Sequence, residues 1–135
     1  MVDNAQKLNN LVRELAPRLN PGQFVFVTFD DEAKIRDVDI IGSIAETEGL
    51  SLIISQQDAD QLGAEYQVVL SWITLDVRSS LQAVGLTALV AQALAEQEIA
   101  CNVVAGNHHD HLFVPNSDAA AAMQILEQLV QKAKK

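Results

Sequence analysis

The spacing of apolar residues in the second half of the chain is the feature that most limits its fold. Residues 68–77 are rich in β-branched and aromatic side chains and are apolar on both faces, which predicts a strand covered on part of each side. Over residues 86–97 the apolar side chains recur at the i, i+3 and i+4 spacing of an amphipathic helix. The pattern returns to strand over residues 99–105, turns over residues 106–110 and continues as a short strand over residues 111–114, in a hairpin.

A last helix completes this half. Asn116 and Ser117 are candidates for its N-cap, and its apolar stripe includes Met123, Leu126 and Val130. The lysines in its last turn suit the negative end of the helix dipole. The predicted order is therefore strand, helix, strand, strand, helix.

The first half combines helices and strands in a similar way. Asp3, with Gln6 three residues later, has the pattern of a capping box and begins a first helix, which Pro17 ends. A short helix from Asp58 is expected to end at Gly63. Three strands are predicted between these helices, at residues 24–29, 40–46 and 50–55. The junction of the two halves, residues 63–67, does not have the composition of a flexible linker.

The charge of the chain restricts its partners. Eighteen acidic against nine basic residues give a formal net charge of −9, which repels nucleic-acid phosphates and anionic lipid heads. No apolar run is long enough to cross a bilayer and the polar N-terminus is unlike a secretory signal, so we expect a cytoplasmic protein without nucleic-acid or membrane partners. The single cysteine, Cys101, falls in a predicted buried strand and is interpreted as a small core residue.

A cluster of histidines and an aspartate occupies the predicted hairpin, at residues 108–111. These residue types bind zinc or iron in other proteins. In a strand, however, His109 and His111 point to one face while His108 and Asp110 point to the other, so at most two of them could bind one ion. The acidic run at residues 30–32 lacks the further ligands of a calcium loop and is predicted to be a solvated turn. We therefore expect no metal site, with a metal-dependent enzyme using the histidine cluster as the less favoured alternative.

No catalytic nucleophile or nucleotide-binding loop stands out. Ser79 and Ser80 do not lie in a GxSxG elbow, and Cys101 is predicted to be far from any activating charge. The glycine-rich patterns GxGxxG and GxxxxGKS do not occur. The residues therefore predict no catalytic group and no cofactor.

The loop that follows the strand at residues 68–77 is a candidate for binding an anion. Ser79, with Gln82 three residues later, can cap an opening turn, and Gly85 permits a close backbone approach or a bend before the helix. Unpaired N–H groups at such a helix start attract a carboxylate. The alternative is that the serines only cap the helix.

The run VGLTALVAQALAEQEIACNVVAGNHHDHLFVPNSDAAAAMQIL resembles an ACT domain, a regulatory module of amino-acid metabolism. Gly85 with Leu86 matches the signature glycine and its apolar follower. Residues 94–102 match the helix end and second strand of the family, and residues 110–114 match its third strand. The whole chain is similar to small bacterial proteins with two ACT-like halves and to the paired modules of the cytosolic arginine sensors of animals.

The chain departs from the family pattern in two places. ACT domains commonly carry Asp-x-Pro-Gly before the helix, whereas Gly85 here follows Val84 and extra residues separate it from Asp76. The chain also stops after its last helix, so we expect the first half to supply the fourth strand. The resemblance thus implies an α+β fold of the ferredoxin-like ACT type, a βαββαβ sandwich in which two intertwined halves have antiparallel sheets with helices on one face. We expect an N-terminal helix with a degenerate ACT-like half in residues 1–66 and an ACT domain in residues 67–135.

The resemblance further implies a non-catalytic sensor or regulatory protein that binds an amino acid. ACT modules bind such ligands between paired sheets, through the first strand-helix loop and the second strand. The residues of this sequence that correspond to those positions are Ser79, Ser80, Gly85, Thr87, Asn102, Ala105, Gly106 and Asp110. The helix-start N–H groups would bind the ligand carboxylate, and Asp110 or a carbonyl its ammonium group.

The expected sheet edges also bear on the assembly of the protein. ACT-like sheets usually pair edge to edge or face to face, and exposed edges are commonly hidden in a symmetric dimer. We therefore expect a homodimer. The alternative to an amino-acid sensor is an orphan module that makes structural or protein contacts and binds no ligand.

Overall fold

The computed structural model describes residues 3–30, 35–78 and 80–135. Asp31 and Glu32 of the predicted acidic turn and the candidate ligand residue Ser79 lie outside the described residues. Within the described part of the chain, no helix has the length and apolar character needed to cross a membrane. The chain forms two compact units, a larger unit of Met1–Asn20 with Ser71–Lys135 and a smaller unit of Pro21–Leu70.

The described elements combine helices with antiparallel strands, so the predicted α+β class is confirmed. In chain order they are α1 (Asn4–Glu14), β1 (Ala16–Leu19), β2 (Phe24–Phe29), β3 (Gly42–Glu46), β4 (Gly49–Ser55), α2 (Gln56–Leu62), β5 (Leu70–Asp76), α3 (Leu86–Glu96), β6 (Asn102–Ala105), β7 (Asp110–Pro115), a 3-10 turn (Asn116–Asp118) and α4 (Ala119–Lys134). The strand, helix, strand, strand, helix order predicted for the second half is therefore also confirmed.

The sheet of the larger unit has the strand order β1-β5-β7-β6. β6 and β7 form the predicted hairpin, in which Val104 lies opposite His111. β1 runs antiparallel to β5, with Arg18 opposite Thr74 and Ala16 opposite Asp76. The first half of the chain was expected to supply the fourth strand of this sheet, and β1 is that strand.

One face of this sheet packs against α1, α3 and α4. The buried cluster on this side includes Val12, Ile73, Leu75, Val90, Leu112 and Leu126. Because side chains alternate along a strand, Trp72, Thr74 and Asp76 of β5 lie on the opposite face together with Arg18 and His111. We call this second face of the larger unit's sheet the open face.

The helix ends follow the predicted local signals in most places. The carboxylate of Asp3 accepts a hydrogen bond from the backbone N–H of Gln6 at 2.8 Å and caps α1, as predicted. The side chain of Ser55 accepts one from the N–H of Asp58 at 3.1 Å and caps α2, which begins at Gln56 rather than at the predicted Asp58. This cap was not predicted. α2 ends at Gly63, whose φ of 67° is left-handed, so the predicted stop signal is confirmed.

Two local predictions are wrong. Neither Asn116 nor Ser117 caps the last helix, because both lie in the 3-10 turn that precedes it. The side-chain oxygen of Asn116 instead accepts a hydrogen bond from the hydroxyl of Ser71 at 2.8 Å, which joins the end of β7 to β5. Cys101 precedes β6 and is half-buried, whereas it was expected in the middle of a buried strand.

The smaller unit has the strand order β3-β4-β2, with both pairs antiparallel. The strand predicted over residues 24–29 is confirmed, and the next strand begins at Gly42 rather than residue 40. Val25 and Val27 of β2 and Leu52 and Ile54 of β4 form the buried core with Ala59 of α2.

The two units do not follow the order of the sequence. α1 and β1 belong to the larger unit because β1 pairs with β5 and α1 packs against α4. The sequence had grouped the N-terminal helix with the first half. The two domains expected from the sequence, residues 1–66 and 67–135, stay a prediction.

Candidate functional site

The loop between β5 and α3 contains a hydrogen-bonded turn that starts at Ser80. The hydroxyl of Ser80 accepts a hydrogen bond from the N–H of Gln82 at 3.2 Å, and the carbonyl of Ser80 accepts one from the N–H of Ala83 at 3.0 Å. Both bonds lie within the loop. Ser80 therefore caps the loop's own turn, several residues before α3 starts.

Gly85 is the last residue of this loop and marks the start of α3. Its φ is 103°, a conformation that favours glycine. A Cβ at this position would lie 3.0 Å from Cδ2 of Leu8 in α1. The close backbone approach expected at Gly85 is therefore confirmed, and the neighbour that requires it is α1.

The start of α3 has no side-chain cap hydrogen bond. The first N–H groups of a helix have no partner within the helix itself, and they suit an anion. Thr87 is exposed in the first turn of α3, whereas Leu86 is buried against the core. The backbone at this position thus has the donor chemistry that the sequence predicted for a carboxylate.

A cavity of about 490 Å³ lies between α1 and the β5-α3 loop. The loop contributes Arg78, Ser80 and Gln82 to its wall, and α1 contributes Lys7 and Glu14. Ser80 is the one described member of the predicted ligand-binding set that lines it. The sequence did not predict a role for α1 in this wall.

The tip of the β6-β7 hairpin is closed through Gly106. Its N–H donates to the carbonyl of His109 at 2.9 Å. A Cβ on Gly106 would lie 3.0 Å from that carbonyl oxygen and 3.3 Å from Nε2 of His111. The absence of a side chain therefore leaves room for both the turn and the imidazole of His111.

The predicted ligand residues of this hairpin are divided between the two faces of the sheet. Ala105 lies directly opposite Asp110, and both share the side of Leu112, which faces the helices. Asn102 lies opposite Phe113, on the side of His111, and its amide donates to the carbonyl of Phe113 at 3.4 Å. The side chains of Asn102 and Asp110 therefore do not converge on one point.

A polar network that the sequence did not predict occupies the open face. Asn20 is 8% exposed, and its side-chain amide donates to the hydroxyl of Thr74 at 2.9 Å and to the carbonyl of Trp72 at 3.2 Å. Its side-chain oxygen accepts a hydrogen bond from Arg18 at 2.8 Å. Asn20 thus links Arg18 of β1 to Trp72 and Thr74 of β5. Thr74 is buried, with 1% of its surface exposed.

His111 extends this network to β7. Its Nδ1 accepts a hydrogen bond from the indole N–H of Trp72 at 3.0 Å and lies 3.2 Å from the hydroxyl of Thr74. An indole N–H can only donate, so Nδ1 is unprotonated and the neutral ring carries its proton on Nε2. Burial, followed by repulsion from His109, lowers the pKa of His111 below its usual value of 6.5.

The outer edge of the network is an ion pair near solvent. Nε of Arg18 donates to the carboxylate of Asp76 at 3.0 Å, and Nε2 of His109 lies 4.0 Å from the other oxygen of that carboxylate. The hydrogen bond from Arg18 holds the pKa of the Asp76 carboxyl below its usual value of 3.8. Nδ1 of His109 lies 3.4 Å from the carbonyl of Val77, which places the hairpin tip beside the end of β5.

Among the described residues, no group of three or more His, Cys, Asp or Glu side chains is arranged to hold a metal ion. Burial raises the pKa of the Cys101 thiol, which makes it a weaker nucleophile at neutral pH. Within the same residues, every buried side-chain nitrogen or oxygen has a hydrogen-bond partner, so the network on the open face is internally satisfied.

A signal for this network was present in the sequence but could not be interpreted there. The residues of the network alternate along the chain, as Arg18 of β1 does with Asn20 just after that strand, and as Trp72, Thr74 and Asp76 do in β5. Alternation shows that such residues share a face of their own strand. It does not show which strands are neighbours, and β1 was not predicted as a strand.

Family models account for almost the whole chain. One model of the ACT domain matches residues 5–71, and a second model of the ACT domain matches residues 67–128. No curated protein matches the chain.

Solved structures share the fold over most of their length. A Vibrio cholerae protein of unknown function, a possible transport protein, is 37% identical with a TM-score of 0.86 and covers 95% of this chain and 99% of its own. A protein from Agobacterium tumefaciens is 15% identical with a TM-score of 0.66, over 86% of this chain and 89% of its own. The ligand-free regulatory subunit of aspartate kinase from Thermus thermophilus is 11% identical with a TM-score of 0.65, over 84% of this chain and 95% of its own. At such low identity the last two show the fold alone, and that fold is the ferredoxin-like one.

Proposed function

Because the chain belongs to the ACT domain family, we propose that it is a non-catalytic regulatory protein that binds a free amino acid. The family matches support a regulatory role of the ACT type. The Thermus thermophilus structure with the same fold is a regulatory subunit. We propose further that the chain senses an amino acid, acts in the cytoplasm and forms a homodimer.

The observation that carries this proposal is the geometry of the β5-α3 junction. Gly85, which has no Cβ, lets the loop lie close to Leu8 and precedes a helix whose start has no side-chain cap hydrogen bond. A carboxylate beside this helix start would accept those N–H groups and lie near the positive end of the helix dipole. The cavity next to the loop is large enough for a small amino acid.

Asp110 is the proposed partner of the ligand's ammonium group. It is half-buried at the first position of β7, next to His109, which contacts the carbonyl at the end of β5. The other proposed ligand contacts are backbone groups of the hairpin, at Asn102, Ala105 and Gly106. The proposed contacts before and at the start of α3 are Ser79, Ser80 and Thr87. In this proposal the histidines shape the hairpin and do not bind the ligand.

A thermal-shift screen against the twenty amino acids tests the proposal directly. A ligand present at about 100 times its Kd stabilises the folded protein by roughly 2.7 kcal/mol, which raises the melting temperature measurably. We expect at least one amino acid to do so. If none does, the chain is better described as a module for protein contacts, an alternative favoured by Ile44, which is 63% exposed on β3.

The substitution Asp110→Asn tests the site. A charge-assisted hydrogen bond contributes about 1.5–3 kcal/mol, so the variant should bind the amino acid at least tenfold more weakly in isothermal titration calorimetry. His108→Ala, an exposed neighbour in the same hairpin, is the matched control and should change the affinity much less. Unchanged affinity in Asp110→Asn would place the ammonium group elsewhere.

A further inference from the structure

The cavity between α1 and the β5-α3 loop has a charge that differs from that of the chain. Its wall contains two cationic side chains, Lys7 and Arg78, and one carboxylate, Glu14. The chain as a whole carries nine basic and eighteen acidic residues. A local excess of positive charge in so acidic a protein attracts an anion to this cavity.

These three charges have no ion-pair partner among the described residues. The ion pair there joins Arg18 to Asp76, with Nε2 of His109 4.0 Å from the same carboxylate. Lys7, Arg78 and Glu14 take part in neither contact. Lys7 and Glu14 lie seven residues apart on one face of α1, which is about 10 Å along the helix axis. The cation and the carboxylate of α1 therefore lie about two helical turns apart along the cavity wall.

The α1 wall of the cavity includes Leu8, the residue that lies close to Gly85 of the β5-α3 loop. Leu8 and Leu11, which lie between the charged residues on α1, line the cavity and also pack against the buried cluster. Leu8 is in addition the side chain that a Cβ on Gly85 would meet at 3.0 Å. The position of α1 against the loop is therefore fixed by apolar packing, independently of the charges.

The groove between α3 and α4 provides a contrast within the same unit. It has a volume of about 540 Å³, and its charged residues are Glu96, Asp118 and Lys132. Its charge is thus opposite in sign to that of the α1 cavity, although the two volumes are similar. Cavity size alone does not distinguish the two places, whereas charge does.

From this charge pattern we infer that the cavity binds an acidic amino acid, with Lys7 and Arg78 contacting its two carboxylates and Glu14 its ammonium group. This inference rests on the proposed amino-acid-binding function and adds the chemical class of the ligand and the second wall of its site. An acidic amino acid carries two negative charges and one positive charge, which complements two cations and one carboxylate. It also moves the ammonium contact from Asp110, which does not line the cavity, to Glu14.

Calorimetric titration of the full chain tests the ligand class. The ligands are aspartate and glutamate, their amides asparagine and glutamine, and succinate and glutarate, which lack the amine. We expect the acidic amino acids to bind at least tenfold more tightly than the amides, because each amide leaves one cation without its partner. The acidic amino acids should also bind more tightly than succinate and glutarate, which have no ammonium group to contact Glu14. Equal affinity for the amides, or for the dicarboxylates, would overturn the inference.

Substitutions at the cavity wall test the site itself. Lys7→Met and Arg78→Met should each weaken binding of the acidic amino acid about tenfold. Glu14→Gln should weaken the acidic amino acid but not succinate, which has no ammonium group for Glu14 to contact. All three residues are exposed, so the melting temperatures of the free variants should match the parent. Lys132→Met in the other groove is the control and should bind as the parent does.

The results separate this inference from the proposed function. If a neutral amino acid binds and Asp110→Asn weakens it while Glu14→Gln does not, the inference is wrong and the proposed function stands. If no amino acid binds the full chain, both are wrong.

Discussion

The open face of the larger unit and the corresponding face of the smaller unit differ sharply in chemistry. In the larger unit, Asn20 and Thr74 are buried within a chain of hydrogen bonds that crosses three strands. In the smaller unit, the sheet face opposite the core of Val25 and Leu52 carries apolar side chains, and Phe26 and Ile44 are 39% and 63% exposed. Each face is opposite the core of its own unit.

This difference shows that the position of a face in such a fold does not determine its character. A hydrogen-bonded polar network requires particular partners at particular distances, since a buried group that loses its partner carries the full cost of desolvation. An exposed apolar face makes no such demand, because any apolar surface that removes it from water can cover it. We therefore expect substitutions on the two faces to differ in both the size and the kind of their effect.

The largest effect is expected for Asn20→Ala. The substitution removes the amide that donates to Thr74 and the oxygen that accepts from Arg18, and it leaves the buried hydroxyl of Thr74 without that donor. The free energy of unfolding should fall by about 1–3 kcal/mol, measured by urea denaturation followed through the fluorescence of Trp72, the single tryptophan.

Asn102→Ala is the matched control for that experiment. Asn102 is exposed and its amide donates a long hydrogen bond of 3.4 Å to a main-chain carbonyl, so its loss should change the free energy of unfolding by less than about 0.5 kcal/mol. Equal losses in the two variants would mean that the network on the open face has no special role in stability.

A smaller effect is expected from lowering the pH. The pKa of His111 in the folded protein is below the unfolded value of 6.5, so between these two values the unfolded chain binds more protons than the folded one. The contribution of His111 to stability is therefore fully present above pH 6.5, and the free energy of unfolding falls as the pH drops below 6.5. Protonation of Nδ1 also removes the acceptor for the Trp72 N–H, so the Trp72 fluorescence should change over the same range.

The variant His111→Gln isolates this contribution. We expect its unfolding free energy to depend less on pH below 6.5 than that of the parent, whereas His108→Gln, an exposed histidine in the same hairpin, should keep the parental dependence. The pKa of Asp76 is lowered chiefly by Arg18, so its own contribution is lost at more acid pH, as the pH falls through the range below 3.8. A parental pH dependence in His111→Gln would assign the effect to another group.

The smallest effect on stability is expected on the apolar face of the smaller unit. Ile44→Lys should change the free energy of unfolding by no more than about 0.5 kcal/mol, because Ile44 is largely exposed. Ile44 lies on β3, at the end of the strand order, and a lysine on an edge strand opposes pairing with another chain. If the proposed homodimer covers this face, light scattering should show a loss of dimer in Ile44→Lys but not in Leu81→Lys, a control that is 71% exposed in the larger unit. A parental dimer mass in both variants would place the interface elsewhere.

The sequence predicted the elements of the second half more reliably than it predicted the site. Hydrophobic periodicity is local, so it located β5, α3 and the β6-β7 hairpin to within a few residues. β1 was missed because four residues that include Pro17 carry little strand signal of their own. With β1 missing, Arg18 and Asn20 could not be connected to Thr74, and the network on the open face was not predictable.

The loop before α3 shows the same limit at the candidate site. The sequence correctly indicated that Gly85 permits a close approach, since few other residues adopt its backbone conformation without strain. It could not identify Leu8 as the neighbour, because Leu8 lies far away along the chain and reaches Gly85 only when α1 packs beside the loop. The cavity wall formed by Lys7 and Glu14 depends on that same packing.

The sequence by itself determined the α+β class, the N-cap of α1, the glycine stop of α2 and the family of the chain, because periodicity, capping and motif are properties of neighbouring residues. Only the tertiary structure decided that the N-terminal segment completes the larger unit, that His111 accepts its hydrogen bond from Trp72, and that α1 adds two opposite charges to a cavity beside Arg78. These contacts join residues that are distant in the chain. They form because burying the apolar side of β5 and α1 together is favourable, and no local pattern records which strand or helix will be the neighbour.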